Sequence, residues 1–178
     1  TPSFYRNTLK SLFTMKYFTP SEAVQLIESG ESIYIQGSTS IPEVLCQALA
    51  DRGEELRDVT IYAAFAVGRC EAPFCKPEYK DSFNIKSLFV ANNIRRWLAA
   101  GYGSTIPAFL GEIPGLFRDG TLPLDAVFLN VSPPNDEGYC SFGVSADLAV
   151  SALECARKVI VQVNKAMPFS YGDALIHV

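Results

Sequence analysis

The tightest constraint on this chain is the stretch Leu124 to Gly143, LDAVFLNVSPPNDEGYCSFG. Ala126, Val127, Phe128, Leu129 and Val131 form a near-continuous apolar run without Gly or Pro, the pattern of a strand covered on both faces. Ser132-Pro133-Pro134 must end that strand, because two prolines cannot donate to a sheet ladder. Asn135, Asp136 and Gly138 are turn formers. A helical pattern resumes after Ser145, and a second apolar run, Val159 to Val163, follows it. Strand, polar loop, helix and strand make one βαβ unit. In open α/β sheets, ligands sit outside the carboxyl ends of the strands. Ser132, Asp136, Glu137, Tyr139 and Ser141 therefore lie on the kind of loop that carries function. Spacing alone favours the plainer reading, a surface turn stiffened by prolines.

The rest of the chain repeats the alternation. Thr1 to Phe18 reads as an N-terminal arm, and Thr19-Pro20-Ser21-Glu22 as a capping box with Pro at the first helical position. That helix presents Ala23, Leu26 and Ile27 on one face and ends at Gly30. Ile33 to Ile35 is a strand, followed by the polar turn Gln36-Gly37-Ser38-Thr39-Ser40. Ser40 and Glu43 mark a second helix start, with Val44, Leu45, Ala48 and Leu49 as its apolar face and Gly53 as its close. Strands are expected over Val59–Val67 and Ile85–Val90, with an irregular stretch from Gly68 to Phe83 between them. Asn92 or Asn93 caps a helix that turns Arg95 and Arg96 to solvent and Trp97 and Leu98 inward. Gly101 to Thr105 breaks it, and Glu112 to Asp119 reads as a short helix. Ser145 to Ala156 is a helix with Leu148, Ala149, Ala152 and Leu153 inward. A loop over Asn164 to Gly172 and an extended apolar end, Ala174 to Val178, complete the chain. The pattern predicts an α/β fold, a mainly parallel sheet with helices on both faces and right-handed crossovers.

Composition removes several classes of function. A chain of 178 residues, nearly half hydrophobic at 48%, suits one domain with a sizeable core. The net charge of −4 argues against nucleic acid as the main partner. No apolar run approaches the length of a membrane span, and the N-terminus holds no signal-peptide core. Cysteines 46, 70, 75, 140 and 155 show no C-x-x-C spacing and have no histidine nearby, so no metal site is expected. Reduced thiols in the cytoplasm are the simplest reading. His177 is the single histidine, on a terminal apolar run, which points to a structural role and leaves no Ser-His or Cys-His catalyst. Asp136 and Glu137 are adjacent, which does not make them an acid–base pair. The 36–40 turn offers a glycine, three hydroxyls and a helix start, a setting for an anion. It lacks the phosphate-loop lysine, and a plain helix cap is as good an account.

SPPNDEGYCSFG, with the Ser-Ala-Asp that follows, resembles the SP-x-D-x-x-G-Y-x-S-x-G segment of the acetyl-CoA hydrolase/transferase family, coenzyme A transferases of the 4-hydroxybutyrate and succinyl-CoA:acetate type. One position departs: Asn135 stands where the pattern has Asp, so no role for that carboxylate carries over. QVNKAMPFSYGDALIHV resembles the same family's Q-V-N-x-x-M-P-x-x-x-G-D-x-x-I-H-V run, and the opening through Ile35 is similar to the family's start, so the resemblance covers nearly the whole chain.

The resemblance implies a CoA-transferase-like fold, an open three-layer α/β/α domain, and an N-terminal domain spanning 1–178, with a C-terminal domain beyond it and a homodimer as the common assembly. It implies coenzyme A and acyl-CoA as substrates, exchanged with a small carboxylic acid such as acetate, 4-hydroxybutyrate, succinate or butyrate. The reaction runs through a glutamate nucleophile that has no matching motif here and is expected in the C-terminal domain, so residues 1–178 alone are expected not to transfer CoA. This chain's expected share is the substrate-binding wall: Gly37, Ser38, Thr39 and Ser40; Ser132, Pro133, Glu137, Gly138 and Tyr139; Met167 and Tyr171. Hydrolysis of acetyl-CoA by the same intermediate is the alternative reaction. A sugar-phosphate isomerase and a non-catalytic α/β ligand-binding domain are the readings of other classes.

Overall fold

The structure, a computed structural model, describes residues 17–65 and 73–178. Residues 1–16 of the expected N-terminal arm, residues 66 and 67 of the expected strand and residues 68–72 of the irregular stretch, Cys70 among them, lie outside the described residues.

Six strands form one parallel sheet: β1 (Ser32–Ile35), β2 (Val59–Ala63), β3 (Phe83–Ser87), β4 (Gly103–Thr105), β5 (Ala126–Val131) and β7 (Lys158–Val163). Their order across the sheet is β4-β3-β2-β1-β5-β7. Two short strands, β6 (Tyr139–Ser141) and β8 (Leu175–His177), pair antiparallel apart from it. The chain winds outward from β1 to β4, then returns to the other side of β1 to lay down β5 and β7. The winding direction therefore reverses between β1 and β5, the place where doubly wound sheets open a crevice at their carboxyl edge.

Strand side chains alternate between two cores. Ile33, Ile35, Ile61, Ile85, Phe128 and Ile160 face one, which is covered by Leu45, Cys46 and Leu49 of α2 (Glu43–Ala50) and Ile94 of α3 (Asn92–Ala99). Tyr34, Tyr62, Val127, Leu129 and Val131 face the other, covered by Ile113 and Phe117 of α4 (Ile113–Arg118) and Ala149 and Ala152 of α5 (Ala149–Cys155). With helices on both faces, β5 is buried along its whole length, which is why its sequence is apolar rather than alternating. The expected three-layer α/β/α domain is the fold observed, and β5–α5–β7 is the βαβ unit read from the sequence.

Several expectations need correction. The capping box is present, with the Thr19 hydroxyl and the Glu22 carboxylate exchanging hydrogen bonds with each other's backbone N–H. However, α1 (Pro20–Ala23) tightens to a 3-10 turn over Val24–Leu26, which rotates the buried face. Val24 and Ile27 are buried, and Leu26 is 48% exposed. In α2 the buried positions are Leu45, Cys46, Leu49 and Ala50, and Val44 faces out. Pro42, not Ser40, precedes the first turn of α2, and it makes no side-chain cap hydrogen bond. Neither Asn92 nor Asn93 caps α3, which begins at Asn92 after Ala91. Gly53 does not end its helix through a left-handed backbone. It is required because a Cβ there would sit 2.5 Å from the Tyr79 ring. Residues 103–105, read as a helix break, form the edge strand β4. Helix α5 starts at Ala149 rather than Ser145, since Asp147 holds the preceding turn through the Ser145 hydroxyl and the Leu148 N–H.

Charges pin the amino edge of the sheet. Lys158 Nζ donates to Glu31 Oε1 at 2.6 Å, and Arg157 pairs with Asp125. Asp125 Oδ2 accepts the Ser32 N–H at 2.8 Å and its hydroxyl at 3.1 Å. Burial pushes the Asp125 carboxyl up, but the Ser32 donors and the Arg157 guanidinium outweigh it and hold the carboxyl below its ordinary value. A carboxylate depressed in the folded state stabilises above the unfolded value near 4 and loses that contribution as pH falls through the lower, folded value. Asp125→Asn should therefore cost about 1–2 kcal/mol near pH 7 in urea unfolding, with the gap to the parent protein narrowing as pH falls below the ordinary aspartate value near 4. An unchanged gap across that range would contradict the assignment.

Candidate functional site

The carboxyl ends of β1, β5 and β7 are neighbours in the sheet, so the 36–40 turn, the 132–141 loop and the 164–172 loop rise from one edge. At β1 the chain leaves the sheet abruptly. Gly37 passes so close to Phe65 that a Cβ would meet its carbonyl oxygen at 2.5 Å, so only glycine fits. Ser38 takes a left-handed φ of 55° and donates its N–H to the same carbonyl at 2.5 Å. Such a backbone is strained for a residue with a side chain and is held by its surroundings. Thr39 is exposed at the tip. Ser40 is fully buried, donates its N–H to Gly37 O at 3.1 Å, and its hydroxyl has no partner.

The 132–141 loop is a closed structure rather than a floppy turn. Ser132 Oγ donates to Pro133 O and accepts the Ser141 N–H, each at 2.9 Å. Asn135 Oδ1 accepts the N–H of Glu137 at 3.1 Å and of Tyr139 at 2.8 Å. Asn135, the departure from the family pattern, thus closes the turn with an oxygen that an aspartate carries equally well. Gly138 takes φ of 79°, donates to Asn135 O and accepts from the Val178 N–H. The Tyr139 ring stands edge-on to His177, centroids 4.8 Å apart, so the single histidine serves the β6–β8 pair. Pro133, Asp136 and Glu137 are exposed, and the two adjacent carboxyl groups enter no ion pair described here. Cys140 is fully buried in β6, and burial raises its pKa. Desolvation thus makes its thiol a weak nucleophile.

The third loop locks onto the second. Ser141 Oγ accepts the N–H of Gly143 and of Ser170, both at 3.0 Å, and lies 2.9 Å from the Ser170 hydroxyl and carbonyl. Ser170 Oγ also donates to Gly143 O at 2.8 Å. Met167 is buried with its sulfur against Gly143, where a Cβ would collide with it. Tyr171 is 87% exposed, with its ring edge-on to Phe169, centroids 5.1 Å apart. Of the eleven residues expected to line the site, Ser132, Gly138 and Met167 hold loops, and Ser38, Thr39, Pro133, Glu137 and Tyr171 offer at least part of their surface to solvent. Ser170, Gln36 and Asn130 were not singled out, although each organises this edge. A groove lined by Pro20, Glu43, Val44, Gln47, Ala48, Asp51 and Pro73 runs down the exposed side of α2, and its carboxylates disfavour an anion. Among the described residues, no three His, Cys, Asp or Glu side chains gather as a metal site, and no helix is long and apolar enough to cross a membrane.

The family model for the acetyl-CoA hydrolase/transferase N-terminal domain matches residues 2–178. The chain belongs to that family. It is 34% identical over 169 residues to the 4-hydroxybutyrate coenzyme A transferase of Clostridium kluyveri, covering 95% of this chain and 39% of that protein. It is 32% identical over 158 residues to the succinyl-CoA:acetate/propanoyl-CoA:succinate CoA transferase of Fasciola hepatica, covering 88% of this chain and 32% of that protein. Among solved structures, RipA from Yersinia pestis superimposes with a TM-score of 0.81 at 29% identity, over 90% of this chain and 39% of that one. The 4-hydroxybutyrate CoA-transferase of Porphyromonas gingivalis superimposes at 0.71 and 33% identity, over 90% of this chain and 36% of that one. The chain thus spans about two-fifths of the length of these relatives at most.

The hydroxyl at Ser141 is the knot between two of the three loops. Ser141→Ala should cost about 1–3 kcal/mol, because it strips partners from buried donors. Amide exchange should accelerate at Gly143 and Ser170 well before it does in β1 or β5. Uniform acceleration throughout the sheet would show that the hydroxyl has no special place in the loops.

Proposed function

We propose that this chain is the N-terminal domain of a coenzyme A transferase that moves CoA between an acyl-CoA, such as acetyl-CoA, and a small carboxylic acid. What supports the reading is family membership together with one arrangement. At the switch point of the sheet, the 37–40 turn carries three hydroxyls, one of them buried and uncommitted, beside loops braced by Ser132 and Ser141. Acetate, 4-hydroxybutyrate, succinate and butyrate are the acids to test. The proposed protein has a C-terminal domain, assembles as a homodimer and works in the cytoplasm without a metal.

In the proposed cycle a glutamate of the C-terminal domain attacks the acyl-CoA thioester, giving an acyl-glutamyl anhydride and CoA thiolate. The thiolate attacks the glutamyl carbonyl, releasing the first carboxylate and leaving a glutamyl–CoA thioester. A second carboxylate attacks that thioester and expels the thiolate, which takes the new acyl group from the anhydride and frees the glutamate. Each step forms and consumes an oxyanion, which preorganised donors in a dry site stabilise. The share assigned to this chain is to hold the acid. Ser38, Thr39 and Ser40 supply hydroxyls, while Ser132, Pro133, Glu137, Gly138, Tyr139, Met167 and Tyr171 wall the acid and the pantetheine arm. Lacking the nucleophile, residues 1–178 alone turn over no acyl-CoA.

The test uses the full-length protein, acetyl-CoA and a panel of carboxylates, with CoA exchange followed by mass spectrometry. Ser38→Ala and Thr39→Ala should raise the KM for the acid about tenfold while the KM for acyl-CoA moves less than twofold. Unchanged acid kinetics in both variants would reduce the turn to backbone geometry. Release of free CoA without any acid would favour the hydrolase alternative, in which water takes the acceptor's place.

A further inference from the structure

Under the 37–40 turn, three adjacent strands each send up one side-chain amide: Gln36 just past β1, Asn130 in β5 and Gln162 in β7. Asn130 and Gln162 are register partners. Gln36 bonds across to β5, and the remaining amide bonds reach Ser145, Ile41 and Val44 on the segments that flank the turn. Gln36 is fully buried and continues the ladder after β1 departs: its N–H donates to Phe128 O at 3.0 Å, and its Oε1 accepts the Asn130 N–H at 2.7 Å. Its Nε2 donates to Ser145 O at 2.6 Å, beyond the 132–141 loop. Asn130 Nδ2 donates to Ile41 O at 3.3 Å, and Gln162 Oε1 accepts the Val44 N–H at 3.2 Å.

Neutral amides suit this place. A buried charge would need a counter-charge, and an apolar residue at Gln36 would orphan the Asn130 N–H of β5. Two buried oxygens in this layer, Ser40 Oγ and Asn130 Oδ1, have no partner, although their neighbours are satisfied. Native cores rarely leave such atoms orphaned, and those that do commonly mark function.

We propose that Gln36, Asn130 and Gln162 form an amide brace that positions the 37–40 turn to receive the acceptor carboxylate; they are positioning residues for acid specificity, not catalytic ones. The inference rests on the proposed role of that turn. The brace fixes where Gly37 leaves the sheet and where α2 begins, so it sets the spacing of the Ser38–Ser40 donors without touching the acid.

The experiment measures both substrates of the full-length enzyme. Gln36→Met keeps length and removes both side-chain hydrogen bonds; Gln162→Leu removes only the acceptor for Val44. The acid KM should rise about tenfold in the first and about threefold in the second, with kcat and the acyl-CoA KM within twofold. A lowered melting temperature with an unmoved acid KM, or equal changes for both substrates, would make the amides structural only and overturn the proposal. If Gln36→Met fails to fold, the Gln162→Leu result decides alone. Ser38→Ala and Thr39→Ala run beside them: a rise in acid KM there but not in the brace variants defeats the brace alone, and no rise there defeats the reading of the turn and the brace with it.

Discussion

The close approach of Gly37 to the Phe65 carbonyl governs the geometry of this domain's carboxyl edge. A parallel strand in mid-sheet would ordinarily run on beside both neighbours. Here β1 stops after four residues, because the chain turns across β2's end and the Ser38 N–H takes the Phe65 carbonyl. β5 continues to Val131 and would be left with an unpaired N–H at Asn130, which the Gln36 side chain satisfies. The strand that begins the winding therefore ends early at the switch point, and the space above it falls to three loops.

Those loops are held in different ways. The 36–40 turn is set from below by amides, and it retains a strained φ at Ser38 and an uncommitted hydroxyl at Ser40. The 132–141 and 164–172 loops are tied to each other by serine hydroxyls and by the β6–β8 pair. The amino edge is held by ions instead, with Glu31, Lys158, Asp125 and Arg157 joining the starts of β1, β5 and β7. This division has a physical sense. Paired charges lock the amino end of the sheet, while neutral donors crowd the end where an anion is proposed to bind.

Local signals were legible in the sequence, and long-range ones were not. The Thr19–Glu22 capping box is complete within four residues, so it could be read outright. The continuous apolar run 126–131 announced a doubly covered strand because burial on both faces leaves no alternation to find. β4 was missed because Gly103-Ser104-Thr105 is an edge strand with two exposed residues and no apolar pattern. Leu26 and Val44 were placed inward because helical spacing says nothing of a shift to 3-10 geometry or of which side the sheet lies on. At the site, loop composition and family resemblance marked the three segments, and the edge they share follows from strand order. The roles of Gln36, Asn130 and Ser170 depend on partners 27 to 109 residues away, which no local pattern carries.

The central claim is that the carboxyl edge of β1, β5 and β7 forms the substrate-facing wall. Hydrogen exchange of the full-length protein, with and without acetyl-CoA and acetate, tests it most directly. The account predicts that protection within this domain gathers on residues 37–40, 132–141 and 164–172 and leaves the amino edge and the exposed side of α2 unchanged. Protection centred on the α2 groove around Gln47 and Asp51, with those three loops unaffected, would contradict it.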